Sequence, residues 1–319
     1  MKQTLVHKAL VHKKVLHARA RMNQDIRAFF QKNNVLEVET PAVSQCANTD
    51  PNIESFELHT QGEARYLHTS PEYPMKRLLA LYSQDIYQIA KVWRAGEVGS
   101  RHNPEFTLLE WYRVGFDYHQ LMQEVGALLQ CLIPALTQSS IQKSYQQVFL
   151  ETLDINPHSA TNELLADCIE QQQLDISGVL DRSAMLDLLM THCIEPTFRT
   201  DCLTFIYDYP VQQSALACVR EDNPPVAERF EVYIGMLELG NGYQELREPD
   251  KNRQVLEQEN ITRQQRGQKT MPLDDRFLAA MEQGIPHCSG VAIGLDRVLM
   301  VLLGEKSIQD VISFPWGVA

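Results

Sequence analysis

The sequence predicts an α+β fold, an antiparallel β-sheet flanked by helices, and three stretches predict it. Residues 93–112 read as strand, polar loop, strand. Residues 230–234 and 236–239 read as a second hairpin, turned near Gly235. Ser289 to Arg297, followed by the apolar run 298–303, reads as a buried strand, a glycine turn at Gly294 and a helix that Gly304 stops.

The other elements follow along the chain. Val15, Ala18, Met22, Ile26, Phe29 and Phe30 recur at helical spacing, so residues 14–32 form an amphipathic helix. Asn33 and Asn34 end it, and 35–40 is a short strand closed by Pro41. Residues 84–94 and 105–113 are strands, and 119–136 is a helix. The stretch 140–200 reads as mostly helical and polar, with helices at 162–173 and 183–193, before 204–209 resumes the sheet. No Gly/Ser/Pro-rich linker marks either edge, so residues 1–319 read as one domain with a helical insertion at about 120–200.

The chemistry-bearing side chains concentrate in the hairpins. Arg94 closes a strand, and Arg101 and His102 lie in the loop that follows. On the returning strand, alternation puts Phe106, Leu108, Glu110 and Tyr112 on one face and Thr107, Leu109 and Trp111 on the other. That mix beside Arg94 suits a ligand with an anionic end and an ammonium end, such as ATP with a basic amino acid. The plainer alternative is a surface hairpin with solvated charges. Near the C-terminus, Gly290 and Gly294 allow a ligand to approach the backbone. Arg297, in the first turn of a helix, opposes the helix dipole and should face an anion.

If the second hairpin turns between Ile234 and Gly235, Glu231 faces Glu238. Opposed carboxylates repel each other, and a divalent cation such as Mg²⁺ would reverse that sign. The alternative is two solvated glutamates in another register. After Glu238 the alternation must slip, because Asn241, Tyr243 and Glu245 share the opposite face. A bulge at residues 240–242 would bring all four to one side.

Composition narrows the function classes. Hydrophobic residues make up 44% of 319, enough for a sizeable core. The seven cysteines are scattered and odd in number and form no C-x-x-C pair, which argues against disulfides and zinc and for a reducing compartment. No apolar run could span a bilayer, and the N-terminus lacks the apolar core of a secretory signal, so the expected location is cytoplasmic. A net charge of −12 disfavours unspecific attraction to nucleic acid. The basic N-terminal residues (Lys2, Lys8, Lys13, Lys14, Arg19, Arg21) could form a local patch, though a solvated helix face explains them as well.

Taken together, residues 93–112 and 289–303 resemble motifs 2 and 3 of the class II aminoacyl-tRNA synthetases, and 35–41 resembles motif 1. The stretches 69–72, 101–106, 227–231 and 238–245 are similar to the lysyl-tRNA synthetase catalytic domain, over about residues 15–315. Only some 34 residues precede motif 1, too few for the anticodon-binding OB domain of those enzymes. The nearest resemblance is therefore to the truncated lysyl-tRNA synthetase paralogues that modify a protein. It implies an ATP-dependent amino-acid ligase that forms an aminoacyl-adenylate of (R)-β-lysine and passes it to a lysine ε-amino group of elongation factor P. It also implies Mg²⁺, a homodimer through motif 1, and no tRNA substrate. An ordinary core helix explains the motif 1 stripe equally well.

Carried over residue by residue, the resemblance assigns Arg94 to the amino-acid carboxylate and the α-phosphate, and makes Arg94 and Arg297 the catalytic pair. Arg101 and His102 would cover the β- and γ-phosphates, with Phe106 stacking on adenine and Arg297 over its other face. Ala95, Gly96, Glu97, Asn103, Glu238, Leu239 and Gly294 complete the expected ATP site. Glu72 would hold the backbone amino group, with Ser70 and Pro71 also in the substrate site. Tyr112 and Glu245 would receive the side-chain ammonium, with Glu110 and Tyr243 lining that pocket, Asn241 near the carboxylate and Ala292 in the amino-acid pocket. Glu231 and Glu238 would bind the metal. Two departures stand out. Motif 2 has Glu97 one residue further from Arg94 than usual, and motif 3 has Ala292 where lysyl-tRNA synthetases usually have glycine, a change that goes with β-lysine in the paralogues. Rival readings are a lysine-activating enzyme with another acceptor, a ligase of the asparagine-synthetase type, and a catalytically inactive regulatory paralogue. Loss of the motif arginines or carboxylates would mark the last, and Arg94, Arg297, Glu231 and Glu238 are all present.

Overall fold

A computed structural model describes residues 12–137, 139–175, 178 and 180–319, so Lys2 and Lys8 of the basic N-terminal segment lie outside the described residues. Helix α1 (Lys13–Lys32) leads into the edge strand β1 (Leu36–Glu37), and β2 (Val43–Ser44), β3 (Glu57–Thr60) and β4 (Glu63–Leu67) form a small separate sheet. Helix α2 (Glu72–Tyr82) precedes the long hairpin of β5 (Ile86–Trp93) and β6 (Glu105–Val114). Next come α3 (Tyr118–Leu132), β7 (Ile141–Ser144), α4 (Tyr145–Leu153), α5 (Asn162–Gln171) and α6 (Arg182–Leu189). The chain continues through β8 (Thr204–Pro210), β9 (Val219–Arg220), β10 (Val226–Ile234) and β11 (Leu237–Gln244). Helices α7 (Pro249–Gln265) and α8 (Asp275–Gln283), strand β12 (Cys288–Gly294) and helix α9 (Leu295–Leu303) complete it.

Among the described residues, nine strands build the main sheet in the order β1-β5-β6-β12-β11-β10-β8-β7, with β9 beside β10. The two outermost pairs, β1 with β5 and β7 with β8, are parallel, and the remaining pairs are antiparallel. The predicted strand at 35–40 shrinks to β1, although the Val38 N–H still donates to the Tyr87 carbonyl at 2.8 Å.

One face of the sheet is buried under α1, α3 and α9. The helical stripe Val15, Met22, Ile26 and Phe30 meets Leu109, Trp111, Val291 and Ile293 there. The Phe30 ring stacks on Tyr87 at 4.3 Å and meets Trp111 edge-on at 5.3 Å, geometries that favour aromatic pairs. Arg19 pairs with Asp296, whose other oxygen accepts from the Thr107 N–H at 2.6 Å, so α1, α9 and β6 are locked together. Across the other face lie α2, α7 and α8, packed around Met75, Leu79, Leu256, Phe277 and Met281.

The described residues of the stretch 140–200 are mostly helical, as its pattern predicts, but not simply polar. Tyr145, Phe149, Leu165, Leu186 and Ile194 bury a core of their own against Ile206 and Tyr209. Its strand β7 extends the main sheet, and α6 runs on as a single π turn, Met190–Ile194.

Candidate active site

Between the sheet and the α2–α7 layer lies a cavity of about 400 Å³. Period-two alternation decides what it sees. Leu109 and Trp111 point into the α1–α3 core, whereas Phe106, Leu108, Glu110 and Tyr112 line the cavity. Gly290 lets Tyr112 and Glu245 close over β12: a Cβ there would meet Tyr112 Cδ1 at 2.5 Å and lie nearer still to Glu245 Oε1.

One end of the cavity is cationic. The Arg94 guanidinium lies 5.1 Å from the Phe106 ring centroid, and its buried Nε has no acceptor among the described residues. An unmet guanidinium donor inside a cavity is what an incoming anion would satisfy. Arg297 donates to the Glu238 carbonyl and to His102 Nε2, both at 2.7 Å. Burial, with Arg297 beside it, lowers the His102 pKa, so the ring accepts as a neutral base. Arg101 donates to the Met236 carbonyl at 2.8 Å. Asn103 fixes the loop by donating to the Glu105 carbonyl at 2.6 Å and accepting from the Trp316 N–H at 3.0 Å. Gly96, at φ +80°, turns the chain so that Glu97 comes within 4.0 Å of Arg94.

The other end is acidic. Glu110 accepts from Ser70 Oγ at 2.6 Å and from the Tyr112 hydroxyl at 2.7 Å, and burial next to Glu72 pushes its carboxyl up to about 8. Glu245 is buried to 1% exposure, and that burial raises it to about 7 in spite of a nearby ammonium. The ammonium belongs to Lys76, fully buried on α2, with Nζ 2.7 Å from Glu72 Oε1 and 2.6 Å from Glu245 Oε2. Burial opposes its charge, but Glu245 and Glu72 outweigh that and keep it protonated.

The expected register of the second hairpin is corrected by the structure. Ile234 pairs with Leu237 and Tyr233 with Glu238, after which the register slips, and Glu231 stands opposite Asn241 rather than Glu238. The slip leaves Leu239 as the extra residue, so the bulge precedes the 240–242 stretch where the glycines suggested it. Its effect is the expected one, because Glu238, Asn241, Tyr243 and Glu245 all line the cavity. Glu231 does not. It is held behind the wall by Arg229 and the Tyr233 hydroxyl. Glu238 is enclosed by protein yet opens onto the cavity at 40% side-chain exposure, and burial together with the Glu231 charge raises its pKa.

Arg94, Glu97, Arg101, His102, Asn103, Phe106, Glu238, Leu239, Gly294 and Arg297 thus surround the same space as Ser70, Glu72, Glu110, Tyr112, Asn241, Tyr243, Glu245 and Ala292. Pro71, Ala95 and Gly96, like Glu231, are outside its lining. Pro71 precedes α2, and the Ala95 N–H donates to the Glu54 carbonyl at 2.7 Å.

Sequence reasoning missed several residues. Lys76 follows Glu72 by one helical turn on a face shared with Leu79, and that spacing was the available signal. Glu259 on α7 also lines the cavity, accepts from Thr49, and is raised by burial to about 7. Glu195, after the π turn, rises to about 7 through burial and the charges of Glu231 and Glu238. Arg263, buried on α7, donates to the carbonyls of Asp50 at 3.0 Å and Lys269 at 2.6 Å and pairs with Glu54 at 2.6 Å. It fastens the 50–54 loop over the cavity. Among the described residues, no helix is long and apolar enough to cross a membrane.

Comparison with known proteins agrees with this geometry. The family described as tRNA synthetases class II (D, K and N) matches residues 3–317. A protein of Proteus mirabilis (strain HI4320) named elongation factor P–(R)-β-lysine ligase is 45% identical over 307 residues, covering 93% of each chain. Proteins with the same name from Yersinia enterocolitica, at 43% identity over 94% of each chain, and Klebsiella pneumoniae (strain 342), at 44% over 93% of each, are similar to it as well. With nearly its whole length matched and a nucleotide-sized cavity on an antiparallel sheet, this chain belongs to the class II tRNA synthetase family (D, K and N).

Proposed function

We propose that this chain activates (R)-β-lysine with ATP and transfers it to a lysine of elongation factor P. The observation that carries the reading is one cavity with arginines at one end and buried carboxylates at the other. In the first step the amino-acid carboxylate attacks the α-phosphorus, forming a mixed anhydride and releasing pyrophosphate. In the second, the acceptor ε-amine attacks the anhydride carbonyl, forming an amide, releasing AMP and losing its proton to solvent. Catalysis is by positioning and charge neutralisation.

Arg94, with its unmet Nε–H, is placed to neutralise charge on the α-phosphate and carboxylate. Arg297, Arg101 and His102 would grip the outer phosphates, and Phe106 the adenine. Glu72 would take the substrate amino group, and Glu245 with Tyr112 its tail ammonium. A buried ammonium needs such partners to offset its desolvation. The Ala292 methyl would shorten the amino-acid pocket. Glu238, open to the cavity beside Glu231, suits an oxygen-ligated Mg²⁺ completed by phosphate oxygens, with Glu231 behind it. The metal would neutralise phosphate charge. Exposed Leu36 on β1, with Leu81 and Tyr82 exposed at the end of α2, supports a homodimer, which light scattering would test.

Exchange of labelled pyrophosphate into ATP tests the first step. We expect exchange with β-lysine and less with α-lysine, and then a gain of one lysyl mass on elongation factor P. Failure of every diamino acid to support exchange would sink the reading. Transfer to tRNA in place of the protein would redirect it.

A further inference from the structure

Lys76 is a buried cation beside the cavity that the mechanism above leaves unused. Its Nζ bridges Glu72 on α2 and Glu245 beyond β11, at 2.7 and 2.6 Å, and the side chain has no exposure. Those two glutamates come from different layers of the fold, the helix above the cavity and the sheet below it. On the proposed function they are also the seats for the substrate's two ammonium groups.

We propose that Lys76 is a specificity-determining positioning residue, whose ammonium clamps Glu72 to Glu245 and so fixes the separation between the two ammonium seats. The inference rests on that assignment of the seats. α-Lysine carries its amines on C2 and C6, whereas β-lysine carries them on C3 and C6, one carbon closer together. A clamp that holds the seats close therefore favours the shorter spacing. Removing it unties the two carboxyl groups, so that they can move apart and accept the longer one. Glu245 has little other freedom, since its Oε1 is packed over Gly290. Glu72, with 24% side-chain exposure, is the seat that would drift. Glu110, Glu259, Tyr112, Tyr243, Tyr73 and Cys288 also surround this end, and the nearby cation Arg229, beside Tyr243, is paired with Glu231 rather than with either seat.

Two variants separate charge from packing. Lys76→Met keeps the length of the side chain and removes the charge, and Lys76→Ala leaves space that added ethylammonium can enter. We expect Lys76→Met to lower the β-lysine to α-lysine ratio of pyrophosphate exchange by about tenfold or more, mainly through KM. We expect ethylammonium to restore the thermal midpoint of Lys76→Ala, and saturably its ratio, with no such effect on the unsubstituted protein. A Lys76→Met protein with an unchanged ratio overturns the proposal. So does a Lys76→Ala protein that ethylammonium neither stabilises nor reactivates, whether or not the methionine variant folds. If the unsubstituted protein shows no diamino-acid-dependent exchange, the proposed function has failed, and the ethylammonium effect on melting still reports on the clamp.

Discussion

Substitution of Gly290 by alanine probes directly the acidic end of the cavity, the proposed seat of the amino acid. The backbone there needs no glycine torsion, so the effect is purely one of space. The new Cβ would lie 2.5 Å from Tyr112 Cδ1 and closer to Glu245 Oε1, and real Cβ atoms do not approach below 3.0 Å. Both side chains must retreat by about half an ångström or more, and neither can do so freely. The Tyr112 ring packs with Met75, Leu79 and Ile86, and its hydroxyl donates to Glu110 at 2.7 Å. Glu245 is tethered to Lys76. Overpacking of this kind costs about 1–3 kcal/mol of stability, and displacing both groups from the bound tail should raise the KM for the amino acid by about tenfold or more. The KM for ATP should stay within about twofold, because Phe106 and Arg297 are untouched. Pyrophosphate exchange at varied amino acid and varied ATP measures both. A wild-type amino-acid KM in a folded Gly290→Ala protein would refute the placement of the substrate tail against Tyr112 and Glu245.

Three further outcomes are expected. Arg94→Ala should lower the exchange rate by about 10²–10³-fold with little change in melting temperature, because an electrostatic contact made in the transition state is lost; stopped-time exchange assays read it. Glu110, Glu245 and Glu259 sit near 8, 7 and 7 when folded, against 4.5 when free. Their contribution to stability is therefore complete below about pH 4.5 and is lost as pH rises through about 7–8. The melting temperature of the ligand-free protein should fall between about pH 6 and pH 8.5, and a diamino acid should raise it more at the higher pH, which scanning fluorimetry will decide. Gly126→Ala, inside α3 with only ordinary contacts at 3.9 Å to Phe205, should stabilise by about 0.5–1 kcal/mol in urea titrations and leave activity alone.

The elements legible in the sequence were those with a clear period. The stripe from Val15 to Phe30 and the alternation from Phe106 to Tyr112 each placed their side chains on the faces where they lie. The small sheet of β2, β3 and β4 went unread because its strands are short and largely exposed. Strand β7 was hidden within a stretch whose pattern is helical, because what makes it a strand is its neighbour β8. Register was the weaker inference. Only tertiary packing decides that Leu239, and not a glycine, is the extra residue of the bulge, and with that Glu231 loses its place opposite Glu238. Lys76 escaped notice for a related reason. A lysine on an amphipathic helix reads as solvated until two carboxylates from distant segments are known to surround it.

Arg263 never reaches the cavity, yet much of its roof hangs from this one guanidinium. It grips Glu54, whose carbonyl in turn holds the Ala95 N–H, the residue next to Arg94. A keystone set this far back makes the proposed phosphate end of the cavity depend on the integrity of α7. Damage to that helix would surface as blunted nucleotide turnover while every group that meets the triphosphate stayed chemically intact.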